Sequence, residues 1–535
     1  MQTSLNFHQE RLVMIFSPKA GKLWFFLYCF MLLLPSLIIS GDGFVKALYP
    51  LIFFIFLIYH YRRFFWLSLP IYLLSPFALY YEITYNAPTE ISVWLTILGS
   101  SSTEAKVYLS TLDIPLAIAL IVGYIIPLVG FYKFIPTQKL TTPFWLRLLA
   151  LCLVISPIQR YVKAPDHDQG FLNVYRHFKQ SYPLNLLLGL PAASLEVNRV
   201  KHFIATQNTI ECTQIHDQQP DITVLVIGES ARRDRLSLFG YTKNNTTPYL
   251  EHQNIWKFDN ALSGSYMTSK SVPSILTGKL NSTENLSPSV VNAFNSSGYK
   301  TYWFSAQSQY GEYDSLVSAY ASSAQNKSFL TQHSYSASLE THYDGELLQS
   351  FDKALADNNP HKFIVLHLYG SHADFTKRYP AEFNKFDDKY DNTVLYTDYL
   401  LNQVIEKLKA KRINASMIYT SDHGLNLGEC KDNSSLHLDM KHNFDVPLMM
   451  WASDSWKQEH VQFAQQLMQE QHSPISSVNI LPTLLDMTGI RCKTISSDRS
   501  LFNPKYKTYP RQVLTSTDKI DYDKGHDDSQ CHLVN

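Results

Sequence analysis

The residues able to do chemistry stand at the ends of apolar runs. "MIYTSDHG" (417–424) is strand-like until it stops on Asp422-His423, just before a turn-forming glycine. "ITVLVIGES" (222–230) ends on Gly228-Glu229, and "KFIVLHLYGSH" (362–372) ends on Gly370-Ser371-His372. Each of these has a bland reading: an Asx turn beside a surface histidine, or a solvated acid or imidazole after a strand. Three strand ends that all carry metal-type donors change the balance. Carboxylates mixed with imidazoles suit Zn²⁺ better than Ca²⁺ or Mg²⁺, with Mn²⁺ as the alternative. Such a site calls for a nucleophile. "LSGSYMTSKSVPSILTG" (262–278) offers Ser265, Thr268, Ser269 and Ser271 ahead of a helix-like pattern. Backbone amides and the dipole at a helix start favour a phosphate there, although Ser and Thr are also ordinary N-caps. Spacing does not choose among the four hydroxyls.

These residues need a scaffold that brings distant strand ends together. From Asp221 onward, strand-like runs alternate with helical patterns such as 392–411 and 477–489, and "VPLMMWA" (446–452) reads as a fourth strand. The alternation predicts an α/β domain with a mainly parallel sheet covered by helices. In open sheets of this kind ligands bind beyond the carboxyl ends of the strands, where these residues stand.

The chain has 535 residues, enough for more than one domain, and its 46 basic side chains balance 46 acidic ones. No basic footprint for nucleic acid is present. Residues 1–158 are rich in Leu, Ile, Phe and Tyr and read as an α-helical membrane domain. The expected spans are Leu23–Ile39, Ala47–Tyr59, Phe65–Tyr81, Ile114–Phe131 and Phe144–Ile155, the second and fifth being short for a bilayer. Arg11, Lys19, Lys22, Arg62, Arg63, Lys133 and Lys139 fall in alternate loops, with Arg147 at the start of the fifth span. The positive-inside rule then puts the N-terminus in the cytoplasm and everything after the fifth span outside. The first span lacks a cleavage site and is not a removable signal. Residues 159–220 read as a connector whose apolar "YPLNLLLGLPAASLEV" (182–197) suits a membrane-surface helix, and 221–535 form the outer catalytic domain. Cys29 and Cys152 lie in expected spans; Cys212, Cys430, Cys492 and Cys531 lie outside, where disulfides form. A bridge from Cys492 to Cys531 would tether the polar C-terminal tail.

"VLVIGESARRDRLSLFGYTKNNTTP", "MTSKSVPSILTG", "GSHADFTKRYPAEF", "YDNTVLYTDYLLNQVI" and "SDHGLNLGE" follow one another in an order that resembles the membrane phosphoethanolamine transferases over nearly the whole chain. The resemblance implies an alkaline-phosphatase or sulfatase-like fold, anchored by five spans in a bacterial inner membrane with its catalytic domain in the periplasm. It implies one or two zinc ions, with Glu229, Asp422 and His423 as ligands and Thr268 as a metal-bound nucleophile. His372 and His437 match histidines that contact the phosphate or a second metal. Glu104 resembles an acidic position that helps bind lipid, and Gln307 a head-group contact.

The sequence also departs from relatives. Ala306 stands where they often have Asn, Gly264 and Ser274 where some have a bracing pair of cysteines, and "GSHADF" replaces "GSHGP". The implied reaction moves phosphoethanolamine from phosphatidylethanolamine, through a phosphoethanolamine-threonine, to lipopolysaccharide, on a lipid A phosphate or a core sugar. The implied partners are donor lipid, acceptor and bilayer, with no nucleic acid, and a monomer is expected. A phosphoglycerol transferase or a sulfatase-type hydrolase acting on another envelope glycan or protein is the alternative. A sulfatase would carry Cys or Ser in a C/S-x-P-x-R context, and "MTSKSVPSILTG" has no arginine there.

Overall fold

The computed structural model describes residues 18–38, 60–85, 89, 91, 93–94, 112–136, 144–164, 166–178, 181–206, 210–213, 221–280, 287–309, 315–330, 342–430, 440–515 and 519–525. The expected span Ala47–Tyr59, together with Glu104, His437 and Cys531, lies outside these residues. The chain divides into two compact units, Met1–Asn198 and Arg199–Asn535.

In the first unit, helices α1 (Pro18–Ile38), α2 (Tyr61–Tyr85) and α3 (Ile114–Lys133) pack on one another. Among the described residues these are the three helices long and apolar enough to cross a membrane. They coincide with the first, third and fourth expected spans. The fifth falls in α4 (Phe144–Val162), which is not among the three. Helices α5 (His167–Phe178) and α6 (Leu184–Thr206) follow, so the apolar 182–197 segment is helical through most of its length. Tyrosines fill the α1–α3 interior: Tyr28 stacks on Tyr72 with ring centroids 4.1 Å apart. In an apolar setting each buried hydroxyl must find a partner. Tyr72 donates to the Tyr124 carbonyl at 3.0 Å, and Tyr124 donates to that of Met31 at 2.9 Å.

The second unit is built on β1 (Asp221–Gly228), β2 (Trp256–Phe258), β4 (Lys300–Ser305), β5 (Asn326–Phe329), β6 (His361–His367), β7 (Asn414–Ser421) and β8 (Leu448–Ala452), in the order β2-β8-β7-β1-β6-β4-β5. Only β8 runs against the rest, pairing antiparallel with both β7 and β2. A small separate pair joins β3 (Ala261–Leu262) to β9 (Ile475–Ser476). Helices α7 (Thr268–Thr277), α8 (Val290–Ser296), α9 (Ser315–Ser322), α10 (Leu347–Ala356) and α11 (Lys389–Lys411) lie between the strands, and α12 (Ile480–Met487) follows β9. Helices on both faces explain why β1 is apolar at consecutive positions instead of alternating. Ile222, Val224 and Val226 enter one core layer, with Leu400, Val404 and Leu408 of α11; Leu225 and Ile227 enter the other, with Ile275 of α7 and Leu484 of α12.

The cysteine pairing differs from the expectation. Cys492 is bonded to Cys212, not to Cys531. The reason is a short antiparallel bridge: Thr213 N–H donates to Arg491 O at 2.8 Å and Lys493 N–H to Glu211 O at 3.0 Å, which brings the two Cα atoms to 4.0 Å. Cys430 is disulfide-bonded as well, while Cys29 and Cys152 are free.

Candidate metal and nucleophile site

The register of the sheet makes the site. Strand β1 lies between β6 and β7, all parallel, with Ile227 opposite His367 on one side and Gly228 opposite Ser421 on the other. The first residues past these strand ends therefore meet. Asp422 N–H continues the ladder to Gly228 O at 3.0 Å, and Ser371 N–H reaches Glu229 O at 2.8 Å. Two features sharpen the turns. Ser230 takes a left-handed conformation (φ 59°), and Gly370 (φ 52°) lies so near Glu229 that a Cβ would sit 2.7 Å from the Glu229 carbonyl oxygen.

Glu229, Asp422 and His423 are all buried, and one ligand atom from each lies within 4.8 Å of the others. His423 Nε2 is 3.3 Å from Glu229 Oε1 and 3.5 Å from Asp422 Oδ2. Its Nδ1–H donates to the Gly424 carbonyl at 2.8 Å, which orients the ring and turns Nε2 inward. Asp422 Oδ1 accepts from Ser230 N–H (3.1 Å) and His423 N–H (2.7 Å), while its Oδ2 is buried without a hydrogen-bond partner. A buried, orphaned carboxylate oxygen facing a second carboxylate and an imidazole fits a cation. Burial, then the Glu229 charge, pushes Asp422 upward. Burial also opposes ionisation of Glu229, but the His423 and His372 imidazoles and the Ser230 hydroxyl hold it below the usual range.

The structure separates the four candidate hydroxyls. Thr268, the first residue of α7, donates from Oγ1 to Glu229 Oε2 at 3.0 Å and lies 3.2 Å from His423 Nε2. Ser265 instead donates to Leu514 O at 3.0 Å, and Ser271 turns back to Thr268 O at 3.4 Å. No such contact to the three-ligand cluster is described for Ser269. Only Thr268 combines the ligand cluster with a helix N-terminus. Gly264 and Ser274 are indeed neighbours, a Cβ on Gly264 running into Ser274 Oγ. Here Ser274 Oγ is hydrogen-bonded to Ser477 Oγ at 2.7 Å.

Other expected residues sit close by. Gln307 Nε2 donates to Glu229 Oε2 (3.1 Å) and Leu368 O (2.9 Å), so its amide is turned onto the acid and not into open space. His372 is coupled electrostatically to Glu229 and His423, and its Nδ1 is buried without a partner; burial pushes the imidazole below its ordinary value. Sequence reasoning passed over Arg232. It is buried, grips Asp234 through two hydrogen bonds (2.9 and 2.7 Å), and bonds Leu425 O at 3.2 Å and the Glu429 carboxylate, thereby tying the loop after β1 to the loop after β7. The signal was the dense "ARRDR" stretch directly after the acid. Tyr390 adds a second tie, accepting from Arg232 N–H (2.8 Å) and donating to Ser230 O (2.7 Å).

The sulfatase family model matches residues 221–490, which is 270 of 535 residues and contains Glu229, Thr268, Asp422 and His423. The chain belongs to the sulfatase family. It carries that family's catalytic domain, and the curated relatives that match it over more than two thirds of its length are enzymes named phosphoethanolamine transferases. It is 25% identical over 494 residues to phosphoethanolamine transferase EptC of Escherichia coli (strain K12), covering 83% of this chain and 84% of that protein. It is 28% identical over 426 residues to phosphoethanolamine transferase EptA of Helicobacter pylori, covering 74% and 77%. The fold matches the crystal structure of the C-terminal periplasmic domain of EptC from Escherichia coli in complex with Zn, with a TM-score of 0.53, 26% identity, and coverage of 59% of this chain and 96% of that one.

Proposed function

We propose that this sulfatase-family enzyme moves phosphoethanolamine from phosphatidylethanolamine to lipopolysaccharide, on a lipid A phosphate or a core sugar. The observation that carries the reading is the placement of Thr268. A single hydroxyl lies at a helix N-terminus within hydrogen-bond distance of both Glu229 and His423. The relatives supply the transferred group, and their similarity extends well beyond the catalytic domain. Threonine at this position also removes the sulfatase route, which needs a cysteine or serine that becomes formylglycine.

Glu229, Asp422, His423 and Thr268 are the residues that would hold zinc. Zinc supplies Lewis acidity, lowering the pKa of a hydroxyl and drawing charge from phosphoryl oxygens. In the first half-reaction, Thr268 Oγ1 attacks the donor phosphorus, the bond to the diacylglycerol oxygen breaks, and diacylglycerol leaves with a proton. In the second, an acceptor oxygen attacks the same phosphorus and the threonine hydroxyl is restored. The Thr268 and Ser269 amides at the start of α7 and the His372 imidazole stabilise the phosphoryl oxygens, with His437 assigned the same task by resemblance. Gln307 fixes Glu229, and Glu104 is assigned to the lipid. The helices of residues 1–158, read as five spans in a bacterial inner membrane with residues 221–535 on the periplasmic side, keep the enzyme where donor and acceptor lipids are.

The test uses the full chain in vesicles containing phosphatidylethanolamine and no acceptor. Peptide mapping should find phosphoethanolamine on Thr268 and none on a Thr268→Ala protein, while Thr268→Ser keeps part of the reaction. An adduct on Ser265, Ser269 or Ser271 would move the nucleophile. A zinc-loaded wild type that releases no diacylglycerol would overturn the function.

A further inference from the structure

Asp344 touches none of the residues that would hold zinc, yet it grips the turn that carries His372. It is buried at the start of a short 3₁₀ turn, Asp344–Glu346, that leads into α10. Its two oxygens accept from successive backbone amides: Tyr369 N–H to Oδ1 at 2.7 Å and Gly370 N–H to Oδ2 at 2.9 Å. Those amides open the turn 369–372, which His372 N–H closes by donating to Tyr369 O at 3.2 Å. The middle of that turn rests on Glu229, through the Gly370 backbone and the Ser371 N–H. Asp344 is anchored in its own right, because the following amide, Gly345 N–H, donates to the Tyr396 hydroxyl of α11 at 3.0 Å.

A carboxylate is the side chain suited to this grip. Two amides converge on it, and a buried N–H without an acceptor is costly. Asparagine offers one acceptor oxygen and would set its NH₂ against the other amide. Glutamate keeps both oxygens on a longer stem. His372, the fourth residue of the turn, has its Nδ1 buried and unpartnered, so a ligand group has to be brought to it at the angle the turn dictates.

Resting on the phosphoethanolamine-transfer reading, we propose that Asp344 is a positioning residue that acts through the Tyr369–Gly370 amides to hold His372 against the transferring phosphoryl group. A misplacement of about 1 Å at such a contact costs roughly a hundredfold in rate.

The experiment is a double-mutant cycle on the full chain. The readout is the single-turnover rate at which Thr268 is loaded from vesicles of phosphatidylethanolamine and phosphatidylglycerol, followed by mass spectrometry of the Thr268 peptide. Asp344→Asn should slow loading roughly 10- to 100-fold, with bound zinc close to wild type and a melting temperature lowered by the one amide left without an acceptor. In a His372→Ala background the same change should cost less than about twofold, because the group being positioned is gone. Loading at the wild-type rate in Asp344→Asn overturns the proposal, as does an equal loss on both backgrounds, which a purely structural role would give. If Asp344→Asn does not fold, Asp344→Glu, whose longer stem displaces the turn it grips, carries the same cycle with the same criteria. Loading with phosphoglycerol in place of phosphoethanolamine would overturn the donor assignment while the cycle is still read on that adduct. No adduct of either kind in wild type would overturn both.

Discussion

Gly370 lies against the backbone of Glu229, where the turn after β6 meets the residue after β1 and leaves no room for a side chain at 370. A Cβ at residue 370 would fall 2.7 Å from the Glu229 oxygen and 2.8 Å from its nitrogen, and the φ of 52° already favours glycine. Gly370→Ala should destabilise the catalytic unit by about 1–3 kcal/mol. It should also displace Glu229 and lower bound zinc, which denaturant unfolding and metal analysis of the purified protein would show together. A variant with wild-type stability and zinc would mean that the turn yields freely.

Metal should stabilise the fold, since two carboxylates and an imidazole are buried side by side. Adding zinc at about a hundred times its dissociation constant should contribute about 2.7 kcal/mol, seen as a rise in melting temperature that chelation reverses. Glu229→Ala and Asp422→Ala should each abolish that rise and the bound metal. Retention of stoichiometric zinc by Glu229→Ala would show that the cluster is not the site.

Acidification should weaken the unit through His367. The ring is buried at the end of β6, hydrogen-bonded to Ser305 Oγ at 3.0 Å through Nδ1, with Nε2 unpartnered; burial pushes it down to about 4. The unfolded chain takes up a proton near pH 6.5 and the folded one does not, so stability falls as pH drops from above 6.5 toward 4, by at most about 3 kcal/mol. His367→Asn should lose less stability between pH 7 and pH 5 than wild type in urea titrations. Parallel pH profiles for the two proteins would remove His367 as the source.

Reduction should also weaken it. Cys212 and Cys492 are separated by 280 residues, so the bridge restricts a long unfolded loop. Cys492→Ser should cost about 2–5 kcal/mol, measured against wild type under non-reducing conditions, and dithiothreitol should then destabilise the variant less than wild type, the remaining loss coming from the Cys430 bridge.

The parts of the site that depend on the strand period were legible in the residues. β1, β6, β7 and β8 overlap their apolar runs, with ends shifted by up to five residues, because a strand covered on both faces needs consecutive apolar side chains. The donors at their ends were visible for the same reason. Strands β4 and β5 went unnamed: "KTYWFS" and "NKSF" mix polar and aromatic residues at the sheet's far edge, where the pattern is diluted. The choice of Thr268 among its neighbours was beyond spacing alone, since it depends on where the first turn of α7 points. The grip of Asp344 and the tie of Arg232 were hidden because their partners lie 25 and 193–197 residues away and include backbone amides and carbonyls that every residue possesses. The Cys212 partner was missed because it depends on a two-residue β-bridge with no hydrophobic signal.

The span closed by that disulfide also imposes an order of events on biosynthesis. A chain made from its N-terminus presents Cys212 first, Cys430 next and Cys492 only after most of the sheet has been synthesised. Throughout that interval an oxidant that acts as thiols appear would join Cys212 to Cys430, the first partner to arrive. The native pair then depends either on the sheet folding before oxidation or on a thiol–disulfide exchange that reopens the early bond. Cells that oxidise thiols but isomerise disulfides poorly should therefore accumulate this enzyme in a mispaired form, and removing Cys430 should relieve that particular error.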